Sequence, residues 1–199
     1  MTNFLAVDTS SKYLTVLAVK GESKVLRHIP DCALQHSVTV MCEVDKALKE
    51  ARLSPDECDF FAAVTGPGSF TGIRIGISTV KGFAVATGKP LVSVTAFELL
   101  AYNVEDDNFY TVIDAAHSHY YVCGFDKDKK ITLAPSYLSE EEVQKLGNLY
   151  GFEDLKLKNY TKLETKKCLY PAVTAKSGCA SEKMDALYVR KSQAEENRK

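Results

Sequence analysis

The densest run of residues fit for chemistry is Thr65-Gly66-Pro67-Gly68-Ser69-Phe70-Thr71-Gly72-Ile73-Arg74-Ile75-Gly76. Gly66 and Gly68 permit backbone angles closed to other residues, and Pro67 stiffens the turn between them. A glycine-rich turn leading from a strand into a helix can cradle a phosphate, so nucleotide readings come first. The spacing Gly66-x-Gly68-x-x-x-Gly72 puts the third glycine one place late for a dinucleotide fingerprint. The next strand, Leu91 to Val94, also ends without the acid that would hold a ribose. No Gly-Lys-Ser/Thr follows, which excludes a P-loop. Gly72, Gly76 and Gly82 fall instead inside the following helix, where each costs about 1 kcal/mol relative to alanine. That tolerance predicts close backbone approach. Gly72, Gly76 and Thr79 share one helical face, a flat strip that suits either internal packing or a second polypeptide. Ile73, Ile77, Val80 and Ala84 form a neighbouring face fit for the core.

Other reactive types are sparse. Asp8-Thr9-Ser10 closes the first strand with turn chemistry, and Asp8 is expected to hold that turn by local hydrogen bonds. His117 and His119 would share one face of a strand, but no third ligand can be named and no metal site is predicted. His36 is expected to lie off the apolar face of its helix, exposed or at an interface. There is no HExxH for zinc proteolysis and no GxSxG nucleophile elbow.

The elements that position these residues follow from periodicity. Phe4–Val7, Leu14–Val19 and Lys24–Ile29 read as three strands joined by hairpins. From Leu34 the period changes: Leu34, Val38, Met41, Val44, Leu48 and Ala51 mark one helical face, predicted to be buried. Asp59–Thr65 is a strand apolar enough for burial on both faces. Thr71–Thr87 is the second helix, closed by Gly88 and Pro90, and Leu91–Val94 leads into a helix from Thr95 to about Tyr102. The first hundred residues therefore read βββαβαβα. The polar stretch Asn103–Asn108 marks a boundary between units at 1–102 and 103–199. Phe109–Ile113, Tyr120–Phe125 and Ile131–Leu133 then repeat the three-strand pattern. Ser139 and the acids after it read as a capped helix start. The second unit appears as a truncated echo without later αβα elements, Gly151–Lys167 resists assignment, and the charged tail Ser192–Lys199 is expected to fray.

Composition sets the class. The 199 residues are 45% hydrophobic and 26% charged, ordinary for a globular protein, and the net charge of -1 gives no field to draw nucleic acid or membrane. Any RNA contact would be shared with a partner. The six cysteines match neither a zinc spacing nor a disulfide framework, so free, mostly buried thiols are expected. No signal peptide or membrane span is apparent, and a cytoplasmic location is expected.

The run GPGSFTGxRxG after a strand resembles the signature of the TsaB (YeaZ) family, complete here from Gly66 to Gly76. Leu5-Ala6-Val7-Asp8-Thr9-Ser10, Gln35-His36-Ser37, Asp114-Ala115 and Leu187-Tyr188-Val189-Arg190 resemble further landmarks of that family. Ala116, His119 and Ala186 stand where it usually has Arg, Glu and Pro. The resemblance implies an α/β chain with the actin-like ATPase (ribonuclease H-like) fold, in two βββαβαβα-type subdomains of which the second is reduced. It also implies a non-catalytic scaffold subunit of the tRNA N6-threonylcarbamoyladenosine machinery, acting on the adenosine beside the anticodon. Such a subunit binds and activates TsaD, a transferase known for an HxxxH metal pair where this chain has Thr95–Leu100 without histidine. TsaE, an ATPase, joins the pair, and tRNA is reached through the complex. On this reading Gly66, Pro67, Gly68, Ser69, Phe70, Thr71, Gly72, Arg74, Gly76, Thr79 and His36 form the partner surface, which self-pairs as a homodimer when the chain is alone. In the superfamily the Asp8-Thr9-Ser10 turn wraps nucleotide phosphates. The matching turn Asp114-Ala115-Ala116-His117-Ser118 lacks glycine, so Asp8, Thr9 and Ser10 are read as vestigial. No cofactor is then required, with at most weak ATP or ADP binding here or at the TsaD interface. The rival reading is a small ATP-dependent phosphotransferase of the same superfamily.

Overall fold

The computed structural model describes residues 2–190; the tail Ser192–Lys199, predicted to fray, lies outside them. At the centre of the first sheet is β1 (Phe4–Asp8), every residue of it buried. It pairs antiparallel with β2 (Leu14–Lys20), which pairs antiparallel with β3 (Ser23–Ile29). On its other side β4 (Phe60–Val64) and then β5 (Leu91–Val94) run parallel, giving the order β3-β2-β1-β4-β5. Side chains alternate across a strand, so β1 feeds two cores. Leu5 and Val7 face α1 (His36–Ala51) and α2 (Phe70–Thr87), whereas Phe4 and Ala6 face α3 (Ala96–Ala101) and α5 (Thr165–Lys176). Burial on both faces explains why β1 and β4 read as unbroken apolar runs.

The second sheet repeats the first. Strands β6 (Asn108–Asp114), β7 (His119–Asp126) and β8 (Ile131–Ser139) are antiparallel neighbours. β9 (Leu149–Gly151) and β10 (Tyr160–Lys162) add in parallel beyond β6. The order β8-β7-β6-β9-β10 is the first sheet's order over again. The later strands that the sequence reading missed are therefore present. What is reduced is the helical layer: α4 (Glu140–Val143) has 4 residues where α1 has 16, and no helix joins β9 to β10. Two sheets of this topology, each begun by a three-strand meander, constitute the actin-like ATPase fold.

Three expectations change. The α1 face that packs on the sheet is His36, Val40, Glu43, Val44, Ala47, Leu48 and Ala51. Of the predicted stripe, Leu34 (99% exposed), Val38 (76%) and Met41 (51%) point outward. His36, expected outside, is 2% exposed, and its Nε2–H donates to the Tyr13 carbonyl at 3.0 Å. The division at 102/103 separates the sheets but not the packing. α5 covers the first sheet, Ser181 bridges to Leu91, and the Leu187 N–H donates to the Thr65 carbonyl at 2.8 Å. Among the described residues no helix is long and apolar enough to cross a membrane.

Candidate functional site

The two motifs that the sequence singled out form one structural unit. The Ser69 N–H donates to the Ser10 carbonyl at 2.6 Å, and the Thr9 hydroxyl donates to the Gly72 carbonyl at 2.7 Å. At Gly68 an added Cβ would collide with the Ser10 carbonyl, and at Gly72 with the Thr9 carbonyl; at Gly76 it would lie 2.5 Å from Thr9 Oγ1. Gly66 holds φ at +101°, with its Cβ position 3.0 Å from the Leu187 carbonyl oxygen. The signature glycines thus let α2 lie directly against the turn after β1. The flat strip proposed as a partner surface is covered by the chain's own Thr9, which corrects the placement of Gly72 and Gly76. Gly66 and Pro67 are buried with them. Gly82 has open space around its Cβ position and serves no such contact.

The opposite side of α2 is free. Ser69, which caps the helix by accepting the Gly72 N–H at 3.2 Å, is exposed together with Gly68, Phe70, Thr71 and Arg74, and Thr79 is half-buried. The Arg74 guanidinium lies 3.7 Å from the centroid of the Phe70 ring, and its Nε–H donates to the Tyr188 hydroxyl at 3.1 Å. Eight large apolar side chains are exposed among the described residues, and five of them (Leu34, Val38, Met41, Phe70 and Val85) belong to α1, α2 or the entry to α1. Val85 is 86% exposed. Between the helices runs a groove of about 460 Å³ whose walls include Met41, Phe70, Ile75 and Thr79. Exposed apolar side chains gathered on two adjacent helices mark a surface that gains by being covered.

At the first turn, Asp8 Oδ1 accepts both the Ser10 N–H at 2.9 Å and the Ser10 hydroxyl at 2.7 Å. Burial pushes its carboxyl pKa up, against the pull of those hydrogen bonds. In the second turn, Asp114 Oδ1 accepts the Ala116 N–H at 2.8 Å. Ala116, His117 and Ser118 all take left-handed angles, with φ of 63°, 54° and 56°, so this turn closes without glycine. The N–H groups of Ser10, Ser69 and Ala116 are all occupied within the chain. His117 sits in the turn rather than on a strand. His119 opens β7, stacks on Tyr137 at 4.7 Å and keeps its Nδ1 2.8 Å from the His117 carbonyl. Among the described residues no group of three His, Cys, Asp or Glu side chains is placed to hold a metal ion.

The family model described as TsaD, tRNA N6-adenosine threonylcarbamoyltransferase, matches residues 29–192. Two relatives carry the name tRNA threonylcarbamoyladenosine biosynthesis protein TsaB. The Bacillus subtilis protein is 31% identical over 99 residues, 50% of this chain and 43% of its own length. The Buchnera aphidicola protein is 24% identical over 185 residues, 84% of this chain and 87% of its own. The chain belongs to the TsaD-like family, in its TsaB (YeaZ) branch. YeaZ from Pseudomonas aeruginosa shares the fold, with a TM-score of 0.75 at 21% identity over 94% of this chain and 100% of that one. For this TsaB-family chain, aligned to less than half of the Bacillus subtilis protein's length, the site divides in two. One part is the glycine side of the signature, sealed against Thr9 and Ser10; the other is an open apolar surface on α1 and the start of α2. The surface was missed in sequence because Leu34, Val38 and Met41 carry a core-like spacing.

Proposed function

We propose that this chain is a non-catalytic subunit of the tRNA threonylcarbamoyladenosine machinery, which binds and activates a TsaD-type transferase. The observation that carries the reading is the exposed apolar stripe Leu34, Val38 and Met41, whose Met41 shares a groove with the exposed Phe70. A partner helix pair laid over that face would exclude water from side chains that the monomer leaves wet, and a standard interface of about 1,600 Å² would suffice. Arg74, held over Phe70, supplies a charged rim. TsaE joins the pair, tRNA is met through the assembly, and without TsaD the same face pairs with itself as an isologous dimer. The engaged residues are Phe70, Thr71, Arg74 and Thr79 together with the α1 stripe, while the signature glycines act by holding α2 in place.

The experiment is co-purification with the TsaD homologue of the same host, comparing wild type with Val38→Glu/Met41→Glu. Both side chains are exposed, so stability should stay within about 0.5 kcal/mol per site. Loss of the complex with an unchanged melting temperature supports the reading; full retention removes it.

A further inference from the structure

Residues 9–13, the turn between β1 and β2, hold both halves of the exposed apolar face from behind. On the α2 side, Thr9 Oγ1 donates to the Gly72 carbonyl at 2.7 Å, and the Ser10 carbonyl accepts the Ser69 N–H at 2.6 Å. Those two bonds fix the helix start that displays Phe70. On the α1 side, the Lys12 carbonyl accepts the Cys32 N–H at 2.6 Å, and the Tyr13 carbonyl lies 3.0 Å from His36 Nε2. A carbonyl can only accept, so that nitrogen carries the ring proton.

The α1 entrance needs such anchors. Its N-cap residue, Gln35, makes no side-chain cap bond, and no acid stands in the first turn. A helix start without either is prone to fray. Cys32 and His36 are nevertheless each 2% exposed, while Leu34 between them is 99% exposed and Val38 just beyond is 76% exposed. A bare leucine bracketed by two buried and bonded neighbours is displayed at a fixed place. Fixing it beforehand lowers the ordering cost of association. His36 itself, being buried, offers a partner nothing to touch. We infer that His36 is a positioning residue for the partner surface. Through the Tyr13 carbonyl it seats Leu34 and Val38 at a set distance from Phe70, with residues 9–13 as the common mount. The inference rests on the proposed function and deepens it, because it names what sets the shape of that face.

The test is titration of the same host's TsaD homologue into wild type, His36→Leu and His36→Gln, the last with an amide N–H that can reach the same carbonyl. His36→Leu should weaken binding at least about tenfold, the scale of one hydrogen bond, and His36→Gln should bring it back to within about threefold of wild type. Amide hydrogen exchange of the chain alone gives a second readout. In His36→Leu the Val38 and Thr39 amides should exchange at least about tenfold faster, while those of Ala47 and Leu48 keep their wild-type rates. Wild type that does not bind TsaD removes the proposed function, and this inference with it. Wild type that binds no better than His36→Leu, a His36→Gln as weak as His36→Leu, unchanged exchange at Val38, or acceleration along the whole of α1 would remove this inference alone.

Discussion

Gly76 on α2 faces Thr9 so closely that a methyl group there would stand 2.5 Å from the threonine hydroxyl oxygen. The clash is with a side chain that is itself fixed, because Thr9 Oγ1 donates to the Gly72 carbonyl. Gly76→Ala should therefore destabilise the fold by about 1–3 kcal/mol, the usual cost of overpacking. Gly72→Ala, which meets backbone rather than a hydroxyl, should cost more. Urea unfolding measures both, and a stability-neutral Gly72→Ala would contradict the close approach.

Thiol reactivity should divide along burial. Burial pushes the thiol pKa of Cys58, Cys123 and Cys168 up to about 12, and Cys32 is equally enclosed. Cys42 and Cys179 are exposed. Iodoacetamide at neutral pH should label those two in the native protein and all six in urea, read by mass spectrometry.

The strand order of the first half was legible because its runs are long and its turns chemically marked, as at Gly21 and Ser54-Pro55. Two features were not. β9 and β10 span three residues each, too short for any period to show, and they are recognised only by pairing with β6 and with each other. The helix α1 carries apolar residues on two sides. Leu34, Val38 and Met41 share a stripe with Val44 and Leu48, and sequence alone treats the whole stripe as core, whereas only Val44 and Leu48 join His36, Val40 and Ala47 in meeting the sheet. An apolar stripe that runs beyond its buried part leaves side chains for a second burial, outside the fold. The glycines posed the same ambiguity: spacing shows that something approaches closely, not whether it belongs to the same chain.

Glu43 on α1 should tie stability to pH. It is 5% exposed and binds Lys46 at 2.7 Å and Arg27 at 2.9 Å, and those hydrogen bonds, Lys46 first, hold its carboxyl below the ordinary 4.5. A depressed folded-state pKa contributes stability that is complete above the unfolded value and lost as pH falls through the folded one. The urea midpoint of wild type should thus drop below about pH 4.5 more steeply than that of Glu43→Gln, which should start lower at pH 7. Parallel curves would show that the pairing contributes nothing.

Tyr188, in the irregular stretch 182–190, should be separable from the core. Tyr188 accepts from Arg74, and its ring lies 5.2 Å from Phe70. Tyr188→Ala removes one partly exposed aromatic contact and one hydrogen bond, a cost of about 1 kcal/mol. It should also free Arg74, changing the affinity for a TsaD-type partner more than the melting temperature. A variant that unfolds outright would mean that the stretch 182–190 closes the core.

Asp8 separates a scaffold from a phosphotransferase. In a kinase this carboxylate would serve a metal–nucleotide complex; here it is turned inward onto Ser10. Its pKa is raised above the ordinary 3.8, chiefly by burial, so the folded chain holds that proton more firmly than the unfolded one. A raised folded-state value contributes stability below the unfolded pKa and loses it as pH rises through the folded one. Asp8→Asn, which keeps an acceptor for Ser10 without a charge to desolvate, should therefore lack the decline that wild type shows above about pH 3.8. At neutral pH it should be at least as stable as wild type. Calorimetry with Mg-ATP should give no micromolar binding for either protein, and the variant should still support threonylcarbamoyl transfer in a reconstituted complex. Micromolar ATP binding by wild type that disappears in Asp8→Asn would instead restore the phosphotransferase.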